Sequence, residues 1–548
     1  MFVGIVILLT INHQFQLEDT VGCVLKAGFK ACFFLLLASM SGFWYNRNMN
    51  KLYRICFSIL QKVMLVVGLH WIFSALWQLD NLIGWSAGLV FLFLFYRRGE
   101  FLKLVKKPYG WLMERKWLVM LAVVLFQLSL LLSAELLIRR DAAVVFTGAF
   151  GYLKESSISN YLTRNPNNMP LFLYERFFFK LFGTGALWLM QGLNLFYADV
   201  TAGILYWGAK RHFSQKVADL TFAFYVALLG FSPYFMAMYT DILILPLVSL
   251  QLFLALEVLR DKATQVIPLL LLGFVTALAM IFRPTVLIVL VALFGVLLFK
   301  ISWKKYLFSL LLLGFTFSLP YGLASYTVRH QTEVPLVAGK GLAKGPLLFI
   351  NLGLTYTGTD QTDMKKGLLQ YIEPSQRDNY NNGMFATENV LKEIKRRLAA
   401  YTPLTFLKHS EYKQRWSVMD GTLDWIYYED VTEEKTAYIS PLYPLMEGNP
   451  LTDFIRSHFI TYDAEEYRTF AIIKQLVWLV MAGGLLAALV KFRSEDVPLN
   501  FLSLAVFGGL LFLTIFEGGK TRYLIQFLPQ ILVLSSLGWV NYRQKSRS

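Results

Sequence analysis

One carboxylate in a basic neighbourhood is the first feature of this sequence that could do chemistry. Asp141 directly follows Arg139 and Arg140, just past the end of a long apolar run. A carboxylate can take a proton from an attacking hydroxyl, and an arginine can neutralise a departing phosphate through planar, paired hydrogen bonds. The same residues also fit a structural role, in which Asp141 caps the next helix and the arginines reach lipid headgroups. This segment alone leaves both roles open.

Three further segments place charged residues at the ends of apolar runs. Asp241 precedes one run, Arg283 lies at a proline joint between two others, and Glu517 and Arg522 lead into the last. Each alone is typical of an anchor at the membrane boundary. Together with Asp141 they predict one face that carries several carboxylates and several arginines. On that face, Asp241 fits either an acceptor-positioning or an arginine-positioning role.

Aromatic residues and carboxylates also gather between residues 416 and 428, where Trp416 is followed by Asp420. Such a group suits stacking on sugar rings and hydrogen bonding to their hydroxyls, but it is equally typical of a small-domain core, which is the commoner case. The six histidines are scattered and show no metal-ligand spacing, so the sequence predicts no zinc site. No bound cofactor is indicated.

The elements that must position these residues are apolar and long. Of the 548 residues, 56% are hydrophobic and 16% are charged, and the mean hydropathy is +0.50. These values exclude a soluble enzyme, a disordered chain and a disulfide scaffold. The sequence predicts an all-α polytopic membrane protein with about 13–14 transmembrane helices, since a span needs about 20 apolar residues. The net charge is +16, and the basic residues lie beside the apolar runs, where such residues orient membrane helices. Nucleic-acid binding is therefore the weaker interpretation of this charge.

The linkers between the apolar runs predict the orientation of the chain. Basic linkers alternate with linkers that are not basic, and the positive-inside rule places the basic ones in the cytoplasm. Segments 138–183, 232–240, 326–468 and 517–521 then lie outside. Segment 326–468 holds 16 Lys and Arg against 19 Asp and Glu, and it is long enough for a mixed extracytoplasmic domain. The predicted spans lie near 30–46, 53–78, 81–97, 117–137, 184–208, 217–232, 238–258, 265–282, 284–300, 305–325, 469–490, 498–516 and 522–540.

The charged segments together resemble a known family, the GT-C glycosyltransferases. These are polyprenyl-phosphate-sugar-dependent enzymes such as the protein O-mannosyltransferases and the lipid A aminoarabinose transferase. The resemblance covers roughly residues 117 to 540. It depends on Asp141 in the first outer loop, the apolar helix after Asn167-Asn168, Thr240-Asp241, Arg283-Pro284-Thr285 and the ending Glu517…Arg522-Tyr523…Pro529.

The resemblance implies a GT-C-like fold with four parts. These are N-terminal helices (1–116), a catalytic membrane module (117–325) with the first outer loop 138–183, an extracytoplasmic loop domain (326–468) and C-terminal helices (469–548). In the family, an acidic residue between two interfacial helices of the first outer loop is catalytic, and Asp141 matches it. Two adjacent acids are common there, whereas the neighbours here are Arg140 and Ala142, which leaves a role for a divalent metal open.

The implied reaction moves a sugar, with inversion, from a polyprenyl-phosphate-linked donor to a cell-wall or surface glycopolymer or glycolipid. The donor already carries a good leaving group, so one base and neighbouring arginines suffice. The implied setting is a bacterial plasma membrane, with the active site on the extracytoplasmic face. The expected site residues are the base Asp141, the donor-phosphate ligands Arg522, Arg283 and Arg140 (the last equally a headgroup anchor), and the acceptor or positioning residues Asp241, Trp416 and Asp420.

Two alternatives remain at this stage. An O-antigen-type polymerase or ligase would also be polytopic with a large outer loop, but it would need no catalytic carboxylate in the first loop. A transporter or lipid flippase would tend to show two related halves and charges near mid-span. The charges of this chain lie at span ends, which favours an enzyme on one membrane face.

Overall fold

The computed structural model describes residues 42–84, 86, 93, 96–133, 135–137, 140–260, 266–424, 437–439, 443–461 and 464–545. The predicted span 30–46 therefore lies largely outside the described residues, as does most of the span predicted at 81–97. The aromatic residues 425–428 that follow Asp424 also lie outside them.

Helices make up nearly all of the described chain. In the N-terminal half they are α1 (Gly42–Ile83), α2 (Arg98–Glu114), α3 (Lys116–Ser133), α4 (Arg140–Ala149), α5 (Glu155–Arg164), α6 (Met169–Phe182), α7 (Ala186–His212), α8 (Gln215–Tyr225), α9 (Thr240–Leu243), α10 (Leu245–Arg260), α11 (Val266–Phe282), α12 (Leu287–Lys300) and α13 (Trp303–Arg329). Short 3₁₀ or π turns join several of them, at Pro166–Asn168, Gly183–Gly185, Val226–Gly230, Pro233–Met236 and Pro284–Val286.

The C-terminal half contains residues 326–468, which the sequence predicts to lie outside and which are hereafter called the long outer segment, and the last apolar helices. Its helices are α14 (Pro346–Gly353), α15 (Gln361–Leu369), α16 (Thr387–Ala400), α17 (Pro403–Val418), α18 (Tyr443–Met446), α19 (Pro450–Ile455), α20 (Tyr467–Val490), α21 (Val497–Ile515) and α22 (Leu528–Lys545). A 3₁₀ helix at Thr521–Phe527 leads into α22, and further short turns lie at Pro374–Gln376 and Arg456–Ile460.

The prediction of an all-α polytopic membrane protein is confirmed. Among the described residues, seven helical segments are long and apolar enough to cross a membrane, and α11 and the 284–300 segment are shorter apolar helices. Each coincides with a predicted span. The helices at 186–212 and 215–225 lie at two further predicted spans, so the count of 13–14 stays a prediction. The seven segments are Met49–Ile83, Lys116–Ser133, Thr240–Arg260, Trp303–Arg329, Tyr467–Val490, Val497–Ile515 and Thr521–Asn541.

Close backbone approach holds the C-terminal spans together. Helix α20 packs against both α1 and α22, and it meets α22 at Gly484 and Gly538. A Cβ placed on Gly538 would lie 1.8 Å from the carbonyl oxygen of Gly484. Such contacts are available only to glycine, and small residues at crossings are a common way to pack helices in lipid. The rest of the bundle includes the pairs α11–α13, α7–α10 and α12–α21.

The first outer loop departs from the prediction at its start. The span predicted at 117–137 ends at Ser133, and Glu135–Leu137 instead forms strand β1. This strand pairs antiparallel with β2 (Ala437–Ile439) in the long outer segment, with Leu136 opposite Tyr438. Apolar composition alone cannot distinguish the last turn of a helix from a short paired strand. The helix that carries Asp141 in its first turn is α4, and the apolar helix expected after Asn167-Asn168 is α6, which packs on α4.

Candidate active site

A chain of hydrogen bonds begins at Asp141, in the first turn of α4. The hydroxyl of Tyr161 donates to Oδ1 of Asp141 at 2.8 Å, and Nδ2 of Asn168 donates to the Tyr161 oxygen at 2.7 Å. The hydroxyl of Tyr239 donates to Oδ1 of Asn168 at 3.0 Å. Burial, reinforced by Asp141, raises the pKa of Tyr161, so this phenol stays a donor. The Asp141 residue itself is exposed, so its carboxylate is both oriented and accessible.

The same chain ends against a pair of arginines. The guanidinium carbons of Arg283 and Arg522 lie 5.2 Å and 5.1 Å from the ring centre of Tyr239. Both arginines also bind Asp241: Nη2 of Arg283 donates to Oδ1, and Nε of Arg522 donates to Oδ2 at 2.9 Å. The Asp241 side chain is 3% exposed, against 17% and 13% for the two arginines. Two guanidinium groups thus share one buried carboxylate.

Local backbone structure explains how these side chains reach one another. Arg283 precedes Pro284, and its extended backbone (φ −143°, ψ 102°) is what the proline favours in the preceding residue. Helix α11 therefore ends at Phe282, and Nε of Arg283 donates to Oγ1 of Thr240 at 2.6 Å. In the first loop, Pro166 opens the 3₁₀ turn that ends at Asn168 and directs this amide between the two tyrosines.

A second charged group lies beside Asp141. Glu517 is half-buried, and the hydroxyl of Tyr523 donates to its Oε1 at 2.8 Å. Burial raises the pKa of Glu517, with Lys520 opposing this and Asp141 adding to it. Lys344, from the long outer segment, interacts electrostatically with both Asp141 and Glu517, and burial lowers its pKa. The outer segment thus adds a cation to a site otherwise built from helix ends.

The long outer segment is fastened to the first loop close to Lys344. The backbone N–H of Lys344 donates to the carbonyl of Arg164 at 2.9 Å, and that of Val337 donates to Oγ1 of Thr163 at 2.9 Å. The guanidinium of Arg164 lies 4.0 Å from the ring centre of Tyr380. These contacts fix α5 and Lys344 relative to each other.

The remaining predicted site residues lie elsewhere or outside the described side chains. Arg140 begins α4, and its side chain is not among those described. Trp416 lies on α17 with its ring half-exposed beside Tyr412, and its carbonyl accepts from Oγ1 of Thr521 at 2.9 Å. Asp420 is 3% exposed, and its carboxylate accepts both N–H and O–H of Thr422. It therefore orders a turn and presents no exposed carboxylate to an acceptor.

Several residues of the network carried no clear signal in the sequence. Tyr161, Tyr239 and Lys344 belong to residue types that are common throughout this chain, and only their docking makes them neighbours of Asp141. Asn168 stood in a turn motif, and Glu517 in the ending motif, but neither had an expected role. Among the described residues, no group of three or more His, Cys, Asp or Glu is arranged to hold a metal ion.

Comparison with known proteins gives one extensive match. A family model described as a conserved hypothetical integral membrane protein matches residues 48–542. No curated protein matches the chain. Two crystal structures of ArnT from Cupriavidus metallidurans are similar to it, one in the apo state (TM-score 0.29) and one bound to undecaprenyl phosphate (TM-score 0.31). Each has 13% sequence identity and covers 78% of both chains. These scores are too low to transfer residues or ligands to this chain.

Proposed function

The chain belongs to the family of conserved hypothetical integral membrane proteins, and on that premise we propose that it is a membrane glycosyltransferase. Its donor is a sugar linked to a polyprenyl phosphate, and its acceptor is an extracytoplasmic glycopolymer or glycolipid. The observation that carries the proposal is the connected network from Asp141 through Tyr161, Asn168 and Tyr239 to two arginines. Such a network combines a base with phosphate-binding cations.

In this proposal Asp141 is the general base. It takes the proton from the acceptor hydroxyl as that oxygen attacks the anomeric carbon, and the bond from that carbon to the phosphate oxygen breaks. The hydrogen bond from Tyr161 holds one carboxylate oxygen in place, and the exposure of Asp141 gives a hydrophilic acceptor access. A single displacement inverts the anomeric configuration.

Arg283 and Arg522 receive the lipid phosphate. One carboxylate holds the two guanidinium groups together, and their low exposure strengthens the attraction of either cation for an anion. Asp241 thus acts by positioning the two arginines, as one of the two sequence interpretations expected. Lys344 lies near the same site and adds charge from the outer side. Negative charge that grows on the leaving phosphate would therefore meet a prearranged set of donors.

The direct test incubates the purified protein in lipid nanodiscs with a panel of polyprenyl-phosphate sugars and a glycan acceptor. Release of polyprenyl phosphate would support the proposal, provided that NMR of the product shows the anomeric configuration opposite to that of the donor. Absence of release for every donor, together with movement of labelled lipid across proteoliposomes, would replace it with lipid transport. Release that persists in Asp141→Asn would remove Asp141 from the reaction.

A further inference from the structure

Residues 514–522, hereafter the carrier segment, bear both Glu517 and Arg522 and are attached along their length to one outer helix. Helix α17 and the turn after it contact this segment from its start to its end. The contacts are Thr514 Oγ1 to Gln414 Oε1 (3.0 Å), Gly519 N to Ser417 Oγ (3.0 Å), Thr521 Oγ1 to the Trp416 carbonyl (2.9 Å) and Thr521 N to Asp424 Oδ2 (2.5 Å). The long outer segment thus determines where the carrier segment lies.

Lys413 is the centre of this attachment. Its residue is 0% exposed, and its ammonium donates to the carbonyls of Gly353 (2.9 Å), Thr514 (2.7 Å) and Phe516 (2.7 Å). Gly353 ends α14, and Thr514 and Phe516 flank the end of α21. The last carbonyls of a helix have no partner within it and carry partial negative charge, so a cation there is favourable. One side chain therefore caps the C-terminal ends of two helices.

The number of donors matches the number of acceptors. An ammonium has three N–H groups, and three carbonyls receive them. A neutral side chain of similar length would leave the carbonyls of Thr514 and Phe516 without this donor, at a cost of about 1–3 kcal/mol each. The Gly353 carbonyl would keep its contact with Nε2 of His409 at 2.9 Å. The chain turns away from α21 directly after these carbonyls, and Glu517 follows at once.

We propose that Lys413 is a positioning residue whose ammonium fixes the carrier segment and thereby holds Glu517 and Arg522 at the active site. The inference rests on the proposed function for its catalytic consequence, although the structural consequence stands without it. Lys413 touches neither the arginine pair nor Asp141, so it acts through the backbone of residues 514–516.

The charge of Lys413 responds to pH near neutrality. Burial lowers the pKa of Lys413 to about 7, and Glu517 opposes this effect. The titratable groups that face it are Glu517 and His409, whose Nε2 lies 2.9 Å from the same Gly353 carbonyl. A neutral amine offers two donors to three carbonyls. The reaction should therefore slow as pH rises through about 7, because one end of the carrier segment loosens.

The experiment compares Lys413→Met, Lys413→Arg and the control Lys408→Met, which changes an exposed lysine of the same helix. Amide hydrogen exchange by mass spectrometry is measured first, because it needs no substrate. We expect faster exchange confined to residues 514–522 in Lys413→Met and no change in Lys408→Met. We also expect about 100-fold lower kcat/KM for Lys413→Met, since a misplacement of about 1 Å can cost that much. Lys413→Arg should recover activity and lose the alkaline decline.

Two outcomes would overturn the inference. Unchanged exchange at 514–522 in a folded Lys413→Met protein would show that the ammonium does not fix the segment. Equally faster exchange throughout the chain would show that the residue serves general stability alone. If the wild type releases no polyprenyl phosphate while exchange changes as expected, the proposed function fails and the attachment by Lys413 stands.

Discussion

The two ends of the span Thr240–Arg260 carry similar charges in different surroundings. At its start, Asp241 binds Arg283 and Arg522, whose side chains are 17% and 13% exposed. At its end, Glu257 binds Arg211 and lies 4.0 Å from Arg260, and these arginines are 65% and 60% exposed. Each end has one carboxylate with two arginines. In the first set the arginines are enclosed, and their contact with the ring of Tyr239 connects them to the hydrogen-bond chain that ends at Asp141.

This difference separates a site from an anchor. Exposed arginines at a boundary gain little stability from their ion pair, and their hydrated side chains can reach lipid headgroups. Enclosed arginines lost most of their hydration when the protein folded, so they attract an anion that enters the site more strongly. The composition of a span end therefore does not identify a reaction centre, whereas enclosure and connection to other groups do.

The largest expected effect that tests the comparison is on turnover. Asp141→Asn should lower the rate of polyprenyl phosphate release by about 10²–10⁴-fold, because it removes the base while preserving size and hydrogen bonding. Donor binding and folding should stay intact, as checked by a lipid-phosphate titration and size-exclusion chromatography. Glu257→Gln is the matched change at the opposite end and should leave turnover unaltered. Equal losses of turnover in the two variants would show that the two ends of the span do not differ in function.

Stability should respond differently at the two ends as well. Asp241→Asn leaves two enclosed guanidinium groups without their carboxylate, which should cost about 3–5 kcal/mol of unfolding free energy. Glu257→Gln should cost about 0–1 kcal/mol, because its arginines stay hydrated. Thermal unfolding in detergent measures both. A smaller loss for Asp241→Asn than for Glu257→Gln would mean that the enclosure at the first end is not maintained in the membrane.

A charge-conserving change sharpens the role of the arginines. Arg522→Lys keeps the positive charge and removes the planar pair of donors, so donor affinity should fall about tenfold. Arg211→Lys, at the exposed end, should not alter it. Binding is followed with a fluorescent polyprenyl phosphate. If Arg522→Lys binds as the wild type does, Arg283 or Lys344 holds the phosphate.

The smallest effect concerns the orientation of the base. Tyr161→Phe removes the hydrogen bond to Asp141 and should cost about 1 kcal/mol, or roughly a fivefold loss in kcat with little change in donor KM. Tyr152→Phe is the control, since Tyr152 is an exposed tyrosine of the same loop. A loss larger than that of Asp141→Asn would assign the chemistry to the phenol instead.

Hydropathy and charge predicted much of this arrangement because both act locally along the chain. They predicted the seven helices that are long and apolar enough to cross a membrane, the apolar helix α6 after Asn168 and the break at Arg283, where the following proline restricts the backbone. They also gathered Asp241, Arg283 and Arg522 at one face. For Asp241, which fitted two roles, the geometry supports the arginine-positioning one.

Contacts between distant segments could not be predicted in this way. Lys413 stands in a helix rich in polar residues, where spacing predicts a solvated surface, and yet it is fully buried against the ends of two other helices. Lys344 reaches Asp141 only because α5 docks on the outer segment. Asp420 fitted either a sugar-binding role or a domain core, and its carboxylate accepts hydrogen bonds from Thr422 in a turn. Tertiary docking decides each of these cases.

The strand pair β1–β2 has a consequence for biosynthesis. Strand β1 follows α3 and lies shortly before Asp141, but its partner β2 is synthesised only after the chain has been extended beyond α13. Contacts so distant in sequence form slowly, since the intervening chain must first be closed into a loop. A nascent chain can thus be fully threaded through the bilayer while its first outer loop is still open. A quality-control system that detected only membrane insertion would accept such a chain before strands β1 and β2 had paired.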